Sequence, residues 1–196
     1  MKFLTKSRGS EIYTEGHVYI EGGDNSILRG MLLLEQKNFC AYSEKYIAGL
    51  DSVEVEHFNP AIKGNDDYFN YYAALRDCNA HNKKEYESFK HAAFFANLFF
   101  QNAEEFNGRI EYKEGQYQEI NELDTDAIEL IAFLGFNRTT LYKQRRNHIS
   151  RLKKTFEDAG YSEEQKVEHF RMHKEDLNFI TAIEIELNID LSEFYN

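Results

Sequence analysis

Two stretches decide the reading of this chain: residues 51–60, D-S-V-E-V-E-H-F-N-P, and residues 70–79, N-Y-Y-A-A-L-R-D-C-N. In the first, Val53 and Val55 alternate with Glu54 and Glu56, the period-2 mark of a strand with one buried face. Asn59-Pro60 ends that strand, since proline offers no N–H to a ladder. The polar loop Lys63-Gly64-Asn65-Asp66-Asp67 follows. A second extended piece then runs from Asn70 to Leu75, and a helix is predicted from about Cys78 through Phe89.

Outward from this centre, His17-Val18-Tyr19-Ile20 reads as a short strand, and Ser26 as the cap of a helix through Ile27, Leu28 and Met31–Leu34. Residues 39–43 read as a tight turn into a strand. Residues 91–106 read as a Phe-rich helix, with Phe94, Phe95, Leu98 and Phe99 packing in the core. Arg109 to Ile120 reads as a hairpin around Glu114-Gly115. Helices are predicted from Asp124 or Asp126 through Leu134, and from Thr139 to a stop at Gly160. Ser162 with Gln165 fits a capping box for another helix, and a last helix falls within about Lys174 to Leu187.

The 196 residues carry 16 Phe and 13 Tyr, enough to pack a core and to argue against disorder. A net charge of -11 argues against a free-standing, non-specific DNA-coating protein, because phosphate neutralisation dominates such binding. Two cysteines, Cys40 and Cys78, do not make a secreted disulfide scaffold. Met1 to Ser10 has no apolar run that would mark a signal peptide, and no stretch has the ~20 apolar residues of a membrane span. The expectation is a cytoplasmic protein with no membrane partner. P-loop and G-x-S-x-G patterns are absent from the sequence.

Written along the chain, the informative residues are Glu56-His57, Pro60, Asn70 and Cys78-Asn79, with Lys83-Lys84 behind. This set resembles the HNH endonuclease family, whose pattern is an acidic residue and His, a Pro shortly after, an Asn, and then Cys-Asn. The resemblance is closest to the HNH subunits of anti-phage systems of the Septu type and of some retron operons. It extends loosely over residues 28 to 152, through Cys40-Ala-Tyr, the 109–120 hairpin and Ile131-Ala-Phe-Leu-Gly-Phe-Asn-Arg-Thr-Thr-Leu. It implies two strands and a helix around one divalent metal, hydrolysis of DNA to a 5′-phosphate, a role in phage defence, and a partner ATPase.

The residue types suit that chemistry. A water must lose a proton near neutral pH, and histidine, with an unperturbed pKa of about 6.5, can take it. His57 is the expected base. Mg²⁺ or Mn²⁺ offsets charge in the transition state and prefers oxygen ligands, which Glu56 and Asn79 supply. The resemblance makes Asn70 the residue that holds the His57 loop, and Lys83 or Lys84 a phosphate contact. His81 and Asn82 lie two and three residues beyond Asn79, and either can replace or join it as a metal ligand. Many relatives hold structural zinc with two Cys-x-x-Cys knuckles. The matching positions here are Cys40-x-x-Ser43 and Leu75-x-x-Cys78, so four thiolates are not available. Packing in place of structural zinc is the expectation; a mixed site with His81 or His91 stays open.

Lys143, Arg145, Arg146, Arg151, Lys153 and Lys154 form a run without acids, read as a phosphate-tracking helix face, or else as a solvated face or a contact for an acidic partner. His169 and His173 share a helix face but lack the protease motif. The sequence therefore predicts an α+β fold in one domain over residues 1–196. Its ββα-metal core spans about 38–92, and a helical C-terminal region spans about 121–196. The function expected is a metal-dependent DNA endonuclease of a defence complex. The alternative is an inactive HNH fold that serves such a complex as an interaction subunit.

Overall fold

The computed structural model describes residues 1–49 and 51–196. The fold is α+β, with two small antiparallel sheets among eight helices in the described residues. Strand β1 (Val53–His57) pairs with β2 (Tyr71–Leu75), and α3 (Arg76–Phe89) follows β2 directly. Ahead of them lie a single turn, α1 (Glu11–Thr14), and α2 (Ser26–Glu35). A short helix, α4 (Ala103–Asn107), leads into the hairpin β3 (Ile110–Lys113) and β4 (Gln116–Glu119). Helices α5 (Thr125–Leu134), α6 (Thr139–Ala159), α7 (Glu163–Met172) and α8 (Ile180–Leu187) complete the chain.

In β1 the more buried face is not the valine face. Glu56 is 2% exposed, whereas Val53 and Val55 are only half-buried. Two helices sandwich the strand pair. Leu28 and Leu32 of α2 pack with Val53 and Val55, while Asn79 and Asn82 of α3 bond Glu54 and Glu56. The alternation in the sequence is real, but α3 covers the charged side.

The segments predicted with specific turn chemistry form as expected. Glu114 and Gly115 both take positive φ, 50° and 88°, the backbone a two-residue hairpin turn needs. Asp124 caps α5, Gly160 ends α6 at φ 63°, and Ser162 and Gln165 form the capping box of α7. Three expectations fail. Residues 17–20 find no ladder partner and form no strand. Ser26 is the first helical residue of α2 rather than its cap; Asn25 precedes it, but its side chain is spent on Ile20 and Gly23. The Phe-rich region is broken into 3₁₀ turns at Ala93–Phe95 and Leu98–Gln101 before α4, because Phe94, Phe99, Phe100 and Phe106 all bury and one straight helix could not point them inward. The last helix falls within the expected residues as α8; a 3₁₀ turn at Lys174–Asp176 precedes it, and Phe179 between them is left-handed at φ 66°.

Candidate active site

The β1–β2–α3 unit borders a cleft of about 420 Å³ lined by Glu54, Glu56 and His57 from β1, Asn79 and Lys83 from α3, and Arg29 from α2. Ladder register sets His57 opposite Tyr71 and Glu56 opposite Tyr72. The loop after β1 is fastened by Asn70. Its carboxamide accepts from Asn59 N–H at 2.8 Å and donates to Asn59 O at 3.1 Å. Phe58 N–H adds a bond to Asn70 O at 2.9 Å. Asn70 thus sits where a residue expected to hold the His57 loop must sit.

Asn70 also donates to Asp66 at 2.7 Å, and that carboxylate lies 2.6 Å from His57 Nδ1. Burial would raise the Asp66 pKa, but the bonds from Asn70 and His57 outweigh it and hold the carboxyl below its usual value. An ionised Asp66 accepts a hydrogen bond from Nδ1–H, which leaves the lone pair on Nε2. Nε2 is buried and has no hydrogen-bond partner among the described residues. The rings of Tyr19 and Tyr71 stand edge-on to the imidazole, with centroids at 4.6 and 5.4 Å.

Beside the base lies a set of oxygen donors. Asn79 donates to Glu54 at 2.5 Å, and Asn82 donates to Glu56 at 3.2 Å. The carboxamide oxygens of both asparagines are buried and without partners. Burial pushes the Glu56 carboxyl up to about 8, more than the Asn82 bond and the nearby Lys83 charge can offset. Among the described residues no three His, Cys, Asp or Glu side chains gather as metal ligands. The donors here are two carboxylates and two carboxamides, the oxygen chemistry that a hard divalent cation takes. A cation would satisfy the two idle oxygens and offset the cost of ionising Glu56, so the residues fit Mg²⁺ or Mn²⁺.

Helix phase sorts the candidate ligands. At 3.6 residues per turn, positions 79, 82 and 83 share a face, while 81 points away. His81 turns instead toward α5 and α6, packing so closely on Gly135 that a Cβ there would lie 2.3 Å from its Nε2. The structure therefore brings Asn82 to Glu56 and Asn79 to Glu54, and leaves His81 apart. Lys83 lines the cleft, and Lys84 is exposed outside that lining.

The basic run on α6 divides in the same way. Arg145 is 2% exposed and donates to Gly115 O at 2.8 Å and Phe136 O at 3.1 Å. A buried guanidinium cannot reach a phosphate backbone, so its expected nucleic-acid role is corrected to a structural one. Arg151 pairs with Asp176 at 2.7 Å, and Lys153 with Glu186 at 2.7 Å. Lys143 and Arg146 remain exposed.

The four positions matched to zinc knuckles do converge. Leu75 N–H points at Cys40 Sγ at 3.4 Å, and Cys78 and Ser43 both bond the Cys40 sulfur. Both thiols are buried and free. Arg138 donates to Cys78 Sγ at 3.3 Å. Burial works against ionising Cys40, but the bond from Cys78 prevails and lowers its pKa; the same bond, then burial, raises Cys78.

Glu54, Asp66 and Arg29 were missed by the sequence reading. Glu54 carried a signal, being two residues from Glu56 and so on the same strand face. Comparison with family models, with curated proteins and with solved structures returns no match.

Proposed function

We propose that this chain is a metal-dependent endonuclease of the HNH type. The observation that carries the reading is one cleft lined by a histidine oriented by a carboxylate and by Glu54, Glu56 and Asn79, with idle carboxamide oxygens on Asn79 and on Asn82, which bonds Glu56. Glu56, Asn79 and Asn82, with Glu54 behind Asn79, would hold Mg²⁺ or Mn²⁺, which when bound supplies positive charge for the phosphoryl oxygens. His57 Nε2 takes a proton from water while Asp66 holds the imidazole in the tautomer that can accept it. The water oxygen bonds to phosphorus, the bond from phosphorus to the 3′ oxygen breaks, and the phosphate stays on the 5′ side. The leaving oxygen takes a proton from solvent. Lys83 and Arg29 add positive charge where the substrate phosphate would lie.

DNA as substrate, a defence role and an ATPase partner rest on the sequence resemblance. The net charge of -11 agrees with weak DNA binding by the isolated chain and with help from a partner surface. No helix among the described residues is long and apolar enough to cross a membrane.

The test is cleavage of supercoiled plasmid with Mg²⁺ or Mn²⁺ by wild type and His57→Ala, each with and without any co-encoded partner. Metal-dependent nicking that the substitution removes supports the proposal. A folded wild type that cuts under none of these conditions favours the inactive interaction subunit, to which the raised pKa of Glu56 and the covered Nε2 also lend themselves.

A further inference from the structure

The general base proposed above is covered by the chain's own N-terminal segment. Residues before it are anchored: Phe3, Leu4 and Ile12 are buried. So are Leu28 and Leu32 after it. Between them, from 13 to 27, no side chain is buried. Within this stretch Gly16 and Gly22 take positive φ, 70° and 69°, a backbone that favours glycine. The segment between the two glycines lies across the cleft with Tyr19 directed at His57, its ring edge-on at 4.6 Å.

Asn25 braces it locally through Ile20 and Gly23, and His17 N–H holds its start to Ile12 O at 2.9 Å, but its fastenings to the cleft are few. Tyr19 N–H reaches Tyr71 Oη at 3.4 Å, a long bond. Glu21 pairs with Lys63 at 3.0 Å, but both ends of that pair are exposed, where ion pairs add little. The two apolar residues flanking Tyr19 give no hold, since Val18 and Ile20 are 56% and 57% exposed. Beneath this light cover is a fully buried Nε2, the atom that has to meet a water and a substrate.

We propose that residues 17–24 are an autoinhibitory strap. In the conformation described here it is closed, with Tyr19 masking the His57 imidazole. Opening about Gly16 and Gly22 uncovers Nε2 while β1, β2 and α3 stay in place, because the strap meets the core through Tyr19, a half-buried ring packed on the cluster of Leu28, Leu32 and Tyr71. The inference rests on His57 being the base, and it concerns how access to that base is regulated.

Carbethoxylation of histidines by diethyl pyrocarbonate, followed by mass spectrometry, reads the mask independently of cleavage. Asp66 occupies Nδ1, so the reagent reports on Nε2. Exposed His91 is the internal standard. In the wild type, His57 is expected to react at least about tenfold slower than His91, as for a site open only part of the time. Tyr19→Ala is expected to bring the two rates within about threefold, and Tyr19→Phe, which keeps the ring, to leave His57 slow. Glu21→Lys, which acts at an exposed position and replaces an attraction by a repulsion, is expected to give a smaller rise; it stands in if Tyr19→Ala does not fold. Wild-type His57 reacting as fast as His91, or folded variants no faster than wild type, overturns the strap. If the variants unmask His57 but plasmid is still not cut, Tyr19 is a mask, but the nuclease reading falls and the autoinhibitory role falls with it.

Discussion

The cleft and the C-terminal helices treat buried polarity in opposite ways. Around α6 to α8, buried charge is saturated with partners. Arg145 is held by two backbone carbonyls. Glu44, wholly buried, accepts from Lys2 N–H, Tyr117, and Thr181 N–H and Oγ1. In the cleft the reverse holds. Of the five buried side-chain atoms left without a partner among the described residues, His57 Nε2 and Asn79 Oδ1 belong to residues that line it, and Asn82 Oδ1 to a residue that bonds Glu56 of the lining. Folded proteins pair nearly all their buried polar groups, so a local concentration of idle ones is a departure that stability alone does not favour. Saturated burial marks architecture here, and idle groups gather around the cleft, with Tyr42 Oη and His81 Nε2 idle outside its lining.

The sharpest way to break this comparison is to delete one residue from each side. His57→Ala is expected to lower plasmid cleavage at least about 100-fold, the usual worth of a general base, with a smaller loss of stability, since Asp66 keeps its bond from Asn70. Arg145→Ala is expected to do the opposite. It strands two buried carbonyls and leaves a void, costing about 2–4 kcal/mol in chemical denaturation, while any activity of the folded fraction is retained.

A pH series sharpens it further. The Glu56 pKa is raised on folding, so the native state holds a proton there that the unfolded chain has already lost. Without metal, stability should therefore fall as pH rises from the unfolded value near 4.5 toward about 8, by up to about 1.4 kcal/mol per pH unit, and level off above. Glu56→Gln is expected to remove most of this slope, leaving the variant more stable than metal-free wild type at pH 8. Thermal melts across pH check the sign. The smallest effect is expected at the exposed cations of α6. Lys143→Ala and Arg146→Ala should each reduce the salt dependence of DNA binding by about one ion, if that face follows the backbone, with no effect on sequence preference.

Much of the frame was legible where local chemistry leaves no choice. Glu114-Gly115, Gly160 and the Ser162–Gln165 box each dictate a backbone shape. The strand–strand–helix order around Glu56 was likewise readable from periodicity. Which face of β1 would be buried was not, because alternation separates two faces without saying which helix covers each. Asp66 was hidden for a related reason. It has an identical neighbour, and only the folded loop shows that Asp67 caps the turn at Phe69 while Asp66 takes His57. The choice among Asn79, His81 and Asn82 waited on the phase of α3, which begins at Arg76, two residues before the predicted start. Arg145 sat in a run of cations that looked alike in sequence, and only packing against the β3–β4 turn sets it apart.

The central claim is that the idle oxygens of the cleft await a divalent cation, and its most direct test is a Mn²⁺ titration followed by electron paramagnetic resonance of the free ion. The account expects one Mn²⁺ bound per wild-type chain, with binding lost in Glu56→Gln and weakened in Asn79→Ala and Asn82→Ala, all three folded. Equal binding by wild type and Glu56→Gln, or no binding by a folded wild type, would contradict it.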